Sequence, residues 1–135
     1  MARSEPTDGD AMWELMLEGS DELAEEVGLP ERPSPRALER LDRWIGEHDG
    51  ALDADEVAQL GMYLARLLVE LHDGGLMRIE VKGHALEGEW AVTGFRRGLA
   101  EDYVVPFVVS AARIGVDRSL SARQWYQQLC AEGRR

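Results

Sequence analysis

Residues 49–56, with Asp49, Gly50, Asp53, Asp55 and Glu56 among them, have the spacing of the second half of a calcium-binding helix–loop–helix. With Glu56 in the twelfth loop position, the first falls on Ile45 and the third on Glu47. Calcium requires an oxygen ligand at the first position, and isoleucine has none to give. Ile45 and Trp44 also lie on the apolar face of the preceding helix. The segment therefore reads as a helix–helix turn followed by an acidic N-cap, and no metal is expected.

The other reactive side chains fall apart in the same way. His48, His72 and His84 are the only histidines and Cys130 the only cysteine. Neither H-x-x-x-H nor C-x-x-C spacing occurs, so nothing converges as a zinc site must. The expectation for the histidines is structural or surface placement, with His72 meeting carbonyls at a helix end. Ser110, Ser119 and Ser121 lack a G-x-S-x-G setting, and Cys130 falls on the apolar side of a helix. The glycines form no phosphate-cradling pattern. Glu87 and Glu89 share a strand face, a coincidence expected among 26 acids. No catalytic residue and no cofactor is assigned, and the balance leans against an enzyme.

Two surfaces remain. The first is a helix carrying Met12, Trp13 and Met16 between Glu14 and Glu18. Methionine and tryptophan suit an adaptable contact surface, and the carboxylates suit a basic partner. These apolar residues are expected to be partly exposed, or to cover a second copy of the chain, because a proline-rich stretch separates them from the core helices. On that expectation, removal of residues 1–29 leaves a folded remainder. The alternative is a small-molecule or enzyme site on a sheet face, built from Trp90 with Arg96 and Arg97, the one dibasic step in the body of the chain.

Charge favours the first surface. Net charge is −11. Residues 1–35 hold ten acids and two arginines, residues 36–75 nine acids and four arginines, and residues 76–135 seven acids and nine basic residues. Such a chain repels phosphate backbones, which argues against nucleic-acid and anionic-membrane partners. A protein partner with a basic surface, or self-association, is expected instead. A single cysteine fits a reducing compartment, and residues 1–10 are polar with no apolar run, so the expected location is the cytoplasm. Fourteen of the fifteen Lys and Arg residues are arginine, a bias that reads as genomic composition.

The elements that must position these residues follow from periodicity. Residues 1–9 read as a disordered tail and 10–135 as one α+β domain, ample for a single core. A helical segment over residues 10–29 is interrupted at Gly19, Ser20 and Asp21. It is joined through a stiff linker, residues 30–35, whose Pro30, Pro33 and Pro35 fix the backbone. Ser34 is placed as the N-cap of the next helix, which presents Leu38, Leu41, Trp44 and Ile45 at helical spacing. Asp53 and Glu56 form a capping box before the strongest helix, whose face is Val57, Leu60, Leu64, Leu67, Leu68 and Leu71. Gly61 within it costs on the order of 1 kcal/mol against alanine and marks a close contact with another element. The period then changes to two. Strands are expected over residues 76–81, 86–92 and 103–105, forming a small antiparallel sheet. Pro106 either opens a helix or sits in an edge strand, with the helix favoured. Ser121 and Gln124 form a second capping box before a closing helix.

Over Leu60, Gly61, Met62, Tyr63 and Leu64, then Leu67 to Glu70 and Gly74-Gly75, the chain resembles certain small bacterial domains of unknown function. Those domains carry a Leu-Gly-x-Tyr-Leu-Gly-Glu helix, a Gly-x-Trp strand, a short sheet and a closing helix. Here Ala65 and Arg66 replace the Gly-Glu, and no tryptophan follows Gly75. Val105, Pro106, Phe107 and residues 120–126 are similar in layout. The resemblance covers about residues 35–128. It implies the α+β arrangement and carries no activity or catalytic residue.

Overall fold

A computed structural model describes residues 9–30 and 32–134. The elements run α1 (Gly9–Val27), α2 (Ala37–Gly46), α3 (Ala54–His72), β1 (Gly75–Arg78), β2 (Trp90–Thr93), β3 (Val105–Pro106), α4 (Phe107–Gly115) and α5 (Ala122–Glu132). The strands form one antiparallel meander in the order β1-β2-β3, with Arg78 opposite Trp90 and Val92 opposite Val105. This is the expected α+β fold: N-terminal helices, a three-stranded antiparallel sheet and C-terminal helices.

The centre of the molecule is α3. Its capping box forms as expected: the Glu56 amide donates to Asp53 Oδ1 at 2.8 Å, and the Asp53 amide to Glu56 Oε1 at 3.0 Å. Leu60, Tyr63, Leu64, Leu67 and Leu68 are all buried, on several faces of the helix rather than one stripe. A helix apolar around its circumference has to be covered from several sides. Here α1, α4 and β2 all pack on it. Gly61 is the point of closest approach to α4. A Cβ there would lie 3.2 Å from the Phe107 carbonyl oxygen and the Val108 Cα. The helix ends where Asp73 turns into the left-handed region (φ 51°). Gly74 follows because a Cβ would stand 2.6 Å from Val92 Cγ1 and 2.8 Å from the Phe95 ring.

Proline 106 combines both of its expected roles. It is the last residue of edge strand β3 and the N-cap of α4, where its missing N–H costs no hydrogen bond. The second capping box also forms, between Ser121 and Gln124. Asp42 of α2 strengthens that start by accepting from the amides of Ala122 and Arg123, tying α2 to α5.

Several expectations are corrected. Helix α1 is continuous through Gly19, Ser20 and Asp21, because tertiary contacts use each of them. Gly19 leaves room for Met62, whose Cγ would lie 3.0 Å from a Cβ. Ser20 and Asp21 both accept from Arg66 of α3, at 3.0 and 2.7 Å. Met12 and Met16 are not a surface: they are 3% and 0% exposed and belong to the core, while Trp13 is 39% exposed. The proline-rich stretch does not hold α1 away from the body, since Leu29 and Pro33 are buried. Gly9 starts the helix rather than ending a tail; the rest of that expected tail lies outside the described residues. Arg36, in helical conformation and without a side-chain bond, replaces Ser34 as the cap of α2. The Ser34 carbonyl instead accepts from the Ala37 amide and starts a tighter first turn. The strands are shorter than their periodicity suggests. Residues 84–89 form turns, as in the bond from the Glu87 amide to the His84 carbonyl, so β2 begins only at Trp90.

Because α1 is core, a chain lacking residues 1–29 is expected to fail to fold, and Met16→Ala to cost about 2–5 kcal/mol. Tyr63 presents the opposite case. Its hydroxyl is buried with no hydrogen-bond partner, and burial pushes its pKa up to about 12. Tyr63→Phe removes that unsatisfied group and is expected to raise stability by about 1 kcal/mol. Urea unfolding of both point variants measures this. A Tyr63→Phe midpoint below that of wild type would mean that the hydroxyl is satisfied in solution.

Candidate functional site

The outward side of the α1–α3 pair carries a concavity. On α1, Leu15, Glu18, Gly19 and Glu22 follow one another at helical spacing. On α3, Asp55, Ala58, Gln59 and Met62 do the same, and the two rows enclose a groove of about 350 Å³. Its floor is Leu15, Gly19, Ala58 and Met62. The carboxylates of Glu18, Glu22 and Asp55 form its rim. Glycine and alanine create the concavity, since neither has a side chain to fill the seam. Gln59 Nε2 donates across it to Glu22 Oε2 at 3.1 Å.

Leu15 and Met62 also line a second space, of about 490 Å³, so the two are neighbours. This chamber adds Met12, Val108 and the half-buried Trp90, with Glu87, Glu89 and Arg78 around them. Arg78 faces Trp90 across the β1–β2 register and donates to the Gly88 carbonyl at 3.3 Å. The further α1 acids Glu14, Asp21, Glu25 and Glu26 are exposed beside the groove. Of the residues expected on the first surface, Glu18 is on the rim, Glu14 is exposed nearby, Met12 lies beneath the chamber and Met16 is sealed in the core. Periodicity in α1 and in α3 signals each wall, but their pairing is a tertiary fact.

The structure does not gather Trp90 with Arg96 and Arg97. Trp90 opens β2, whereas the arginines follow its far end. Their backbone amides donate to the His72 carbonyl at 3.1 and 3.2 Å, and Arg97 Nη2 donates to the Glu70 carbonyl at 3.1 Å. This pair caps the C-terminus of α3. Trp90 has Arg78 for a neighbour instead.

A buried polar cluster lies beneath that cap. His72 Nδ1 is 2.8 Å from the Arg97 carbonyl and Nε2 is 2.7 Å from the Tyr126 hydroxyl. Facing a carbonyl, Nδ1 donates to it, and Nε2 pairs with the Tyr126 hydroxyl. Burial, with Cys130 beside it, pushes the Tyr126 hydroxyl well above its ordinary pKa. Gly98 permits this packing, since a Cβ there would stand 2.9 Å from His72 Nδ1. His72 does meet a carbonyl at a helix end, as its position suggests. That the carbonyl comes from Arg97 and the second partner is Tyr126 has no signal in the sequence.

The calcium-like loop is used by the chain itself. The carbonyls of Ile45, His48 and Gly50 all accept from Arg118 Nη2, the first two at 3.2 and 3.3 Å. A guanidinium thus occupies the carbonyl cradle. Glu56, the residue in the twelfth loop position, has both oxygens engaged, Oε1 by the Asp53 amide and Oε2 by His48 Nε2 at 2.8 Å. His48 Nδ1 meets the Trp44 carbonyl at 2.9 Å, and its ring packs edge-on against Trp44. Among the described residues no group of three or more His, Cys, Asp or Glu side chains could hold a metal, and no helix is long and apolar enough to cross a membrane. No family model, curated protein or solved structure matches the chain.

The Trp44 carbonyl and the Glu56 carboxylate raise the pKa of His48 above its ordinary value, with Glu26 adding to the effect. The stabilisation is fully present below the unfolded-state pKa of about 6.5. It is lost as pH rises through the raised folded-state value. Wild type is therefore expected to lose up to about 1 kcal/mol relative to His48→Gln between pH 6 and pH 8, the scale of a partly exposed ion pair. Urea midpoints of the two proteins across that range give the difference. A difference that does not change with pH would show that folding leaves the proton affinity of His48 unchanged.

Proposed function

We propose that this protein is a non-enzymatic interaction module, an adaptor, chaperone or immunity-type inhibitor, that presents the acidic α1–α3 face to a basic surface on a protein partner. The observation that carries this reading is the groove with an apolar floor and carboxylates on both walls. The floor supplies area to bury, and the rim selects for lysine and arginine while repelling phosphate. Nucleic acid and anionic membranes are therefore not the partners. The reactive groups found elsewhere, His72 with Tyr126 and His48 with Glu56, are engaged in holding elements together, which agrees with a binding role. A second reading, a small ligand in the chamber beside Trp90, is favoured by the aromatic wall and by Arg78, and applies to a cationic or zwitterionic molecule because Glu87 and Glu89 share the site.

Long-range charge separates the two. The Debye length falls from about 30 Å at 0.01 M salt to about 8 Å at 0.15 M. The on-rate of the basic protein recovered with the native chain is expected to fall at least tenfold over that range. A variant carrying Glu14→Gln, Glu18→Gln, Glu22→Gln, Glu25→Gln and Glu26→Gln is expected to be slow throughout, with a flatter slope. Stopped-flow measurement of both proteins checks this. Equal rates at every salt concentration would reduce the acidic face to a solvated surface and leave the Trp90 chamber as the better site.

A further inference from the structure

We infer that the occupant of the groove is an amphipathic basic helix of the partner, lying along the α1–α3 seam with one apolar side chain reaching into the chamber beside Trp90. This deepens the acidic-face reading and rests on it. The geometry of the walls argues for a helix. Leu15, Glu18, Gly19 and Glu22 stand at i, i+3, i+4 and i+7 on α1, and Asp55, Ala58, Gln59 and Met62 repeat that spacing on α3. A seam between two packed helices with small residues at its base matches the ridge of a third helix. From Met12 to Glu22 it extends about 15 Å at 1.5 Å per residue, enough for about three turns of an occupant.

Charge complementarity defines the rest of the occupant. Glu22 and Asp55 line opposite walls of the seam, and Glu87 and Glu89 line the chamber, with Arg78 as the basic residue there. A helix whose apolar stripe meets Leu15, Ala58 and Met62 sets its flanking positions against these carboxylates. Lysine or arginine there gains charge-assisted contacts, whereas glutamate is repelled. A second copy of this chain fits less well through α1, because that helix is itself acidic and its apolar stripe is already buried.

The test uses the full chain and three synthetic labelled peptides of about four turns each. One has leucines at helical spacing with lysine and arginine elsewhere. A second has the same charge but two interior prolines, and a third replaces the basic residues with glutamate. Fluorescence anisotropy at 0.05 M salt is expected to show binding of the first, with the second and third at least tenfold weaker. Ala58→Phe, which fills the seam without changing charge, is expected to weaken the first peptide at least tenfold. Glu22→Gln with Asp55→Gln serves as a second probe should Ala58→Phe melt early. Equal binding of the first and second peptides overturns the helix while leaving the acidic face standing. Binding of none removes both readings. Equal binding of the first and third overturns the charge argument. A chain that sediments as a dimer and becomes monomeric on Ala58→Phe would show that a second copy fills the seam.

Discussion

Helix α3 is buried around most of its circumference, and the other elements are arranged to keep water from it. Nineteen residues long, it offers Leu60, Leu64, Leu67 and Leu68 in several directions, and Tyr63 besides. One neighbour cannot cover such a helix, so α1, α4 and β2 each take a side. Close approach then becomes the limiting condition. At Gly61 the backbone of α4 comes within 3.2 Å of where a Cβ would be, and at Gly74 the Val92 and Phe95 side chains come closer still. Glycine's usual penalty inside a helix is offset at Gly61 by the packing it permits. The polar groups of α3 must also find partners within the fold. Arg66 does so through Ser20, Asp21 and Glu70, and His72 through the Arg97 carbonyl and Tyr126.

The acidic face follows from the same demand. To cover α3, α1 turns Met12, Met16, Leu23 and Ala24 inward, which leaves Glu14, Glu18, Glu22, Glu25 and Glu26 on the outside. Asp21 is drawn to Arg66 at 2.7 Å, so the one arginine on this part of α3 is partly neutralised by the helix it anchors. Like charges at helical spacing repel, at a cost of a few tenths of a kcal/mol per pair. The burial of α1 exceeds that cost, and the carboxylates stay exposed.

Local signals were legible where the physics is local. Both capping boxes depend on side chains three residues apart, and both form. The existence of α3 and the close contact at Gly61 could be read because period and helix propensity are properties of short windows, although burial extends beyond the one expected face. The failures are long-range. Gly19, Ser20 and Asp21 have the composition of a break, and only Met62 and Arg66, more than forty residues away, make them part of a helix. Met12 and Met16 are core although prolines separate α1 from the later helices, because separation along the chain is not separation in space. Trp90, Arg96 and Arg97 are near in sequence, yet a strand carries the tryptophan to one end of the sheet and the arginines to the cap of α3. The partnership of His72 with Tyr126, and of Arg118 with three carbonyls of the calcium-like loop, has no local signature at all.

The two surfaces that the sequence offers as rivals, the acidic first helix and the neighbourhood of Trp90, are neighbours in space. Leu15 and Met62 line both concavities, so the two share a wall. On the proposed reading this shared wall bears on specificity. The seam between α1 and α3 supplies apolar area and carboxylates, which many basic amphipathic segments could satisfy. The chamber adds an aromatic wall at Trp90 and a basic group at Arg78, and these discriminate by shape and by charge of the opposite sign. Arg78 donates to the Gly88 carbonyl in the β1–β2 connection. Affinity and selectivity would thus be assigned to different elements: the helices that cover α3 provide the general attraction, and the sheet edge provides the discriminating contact. A partner segment lacking a side chain for the chamber would leave Trp90 half-buried, and it would bind through the weaker, salt-sensitive part of the surface alone.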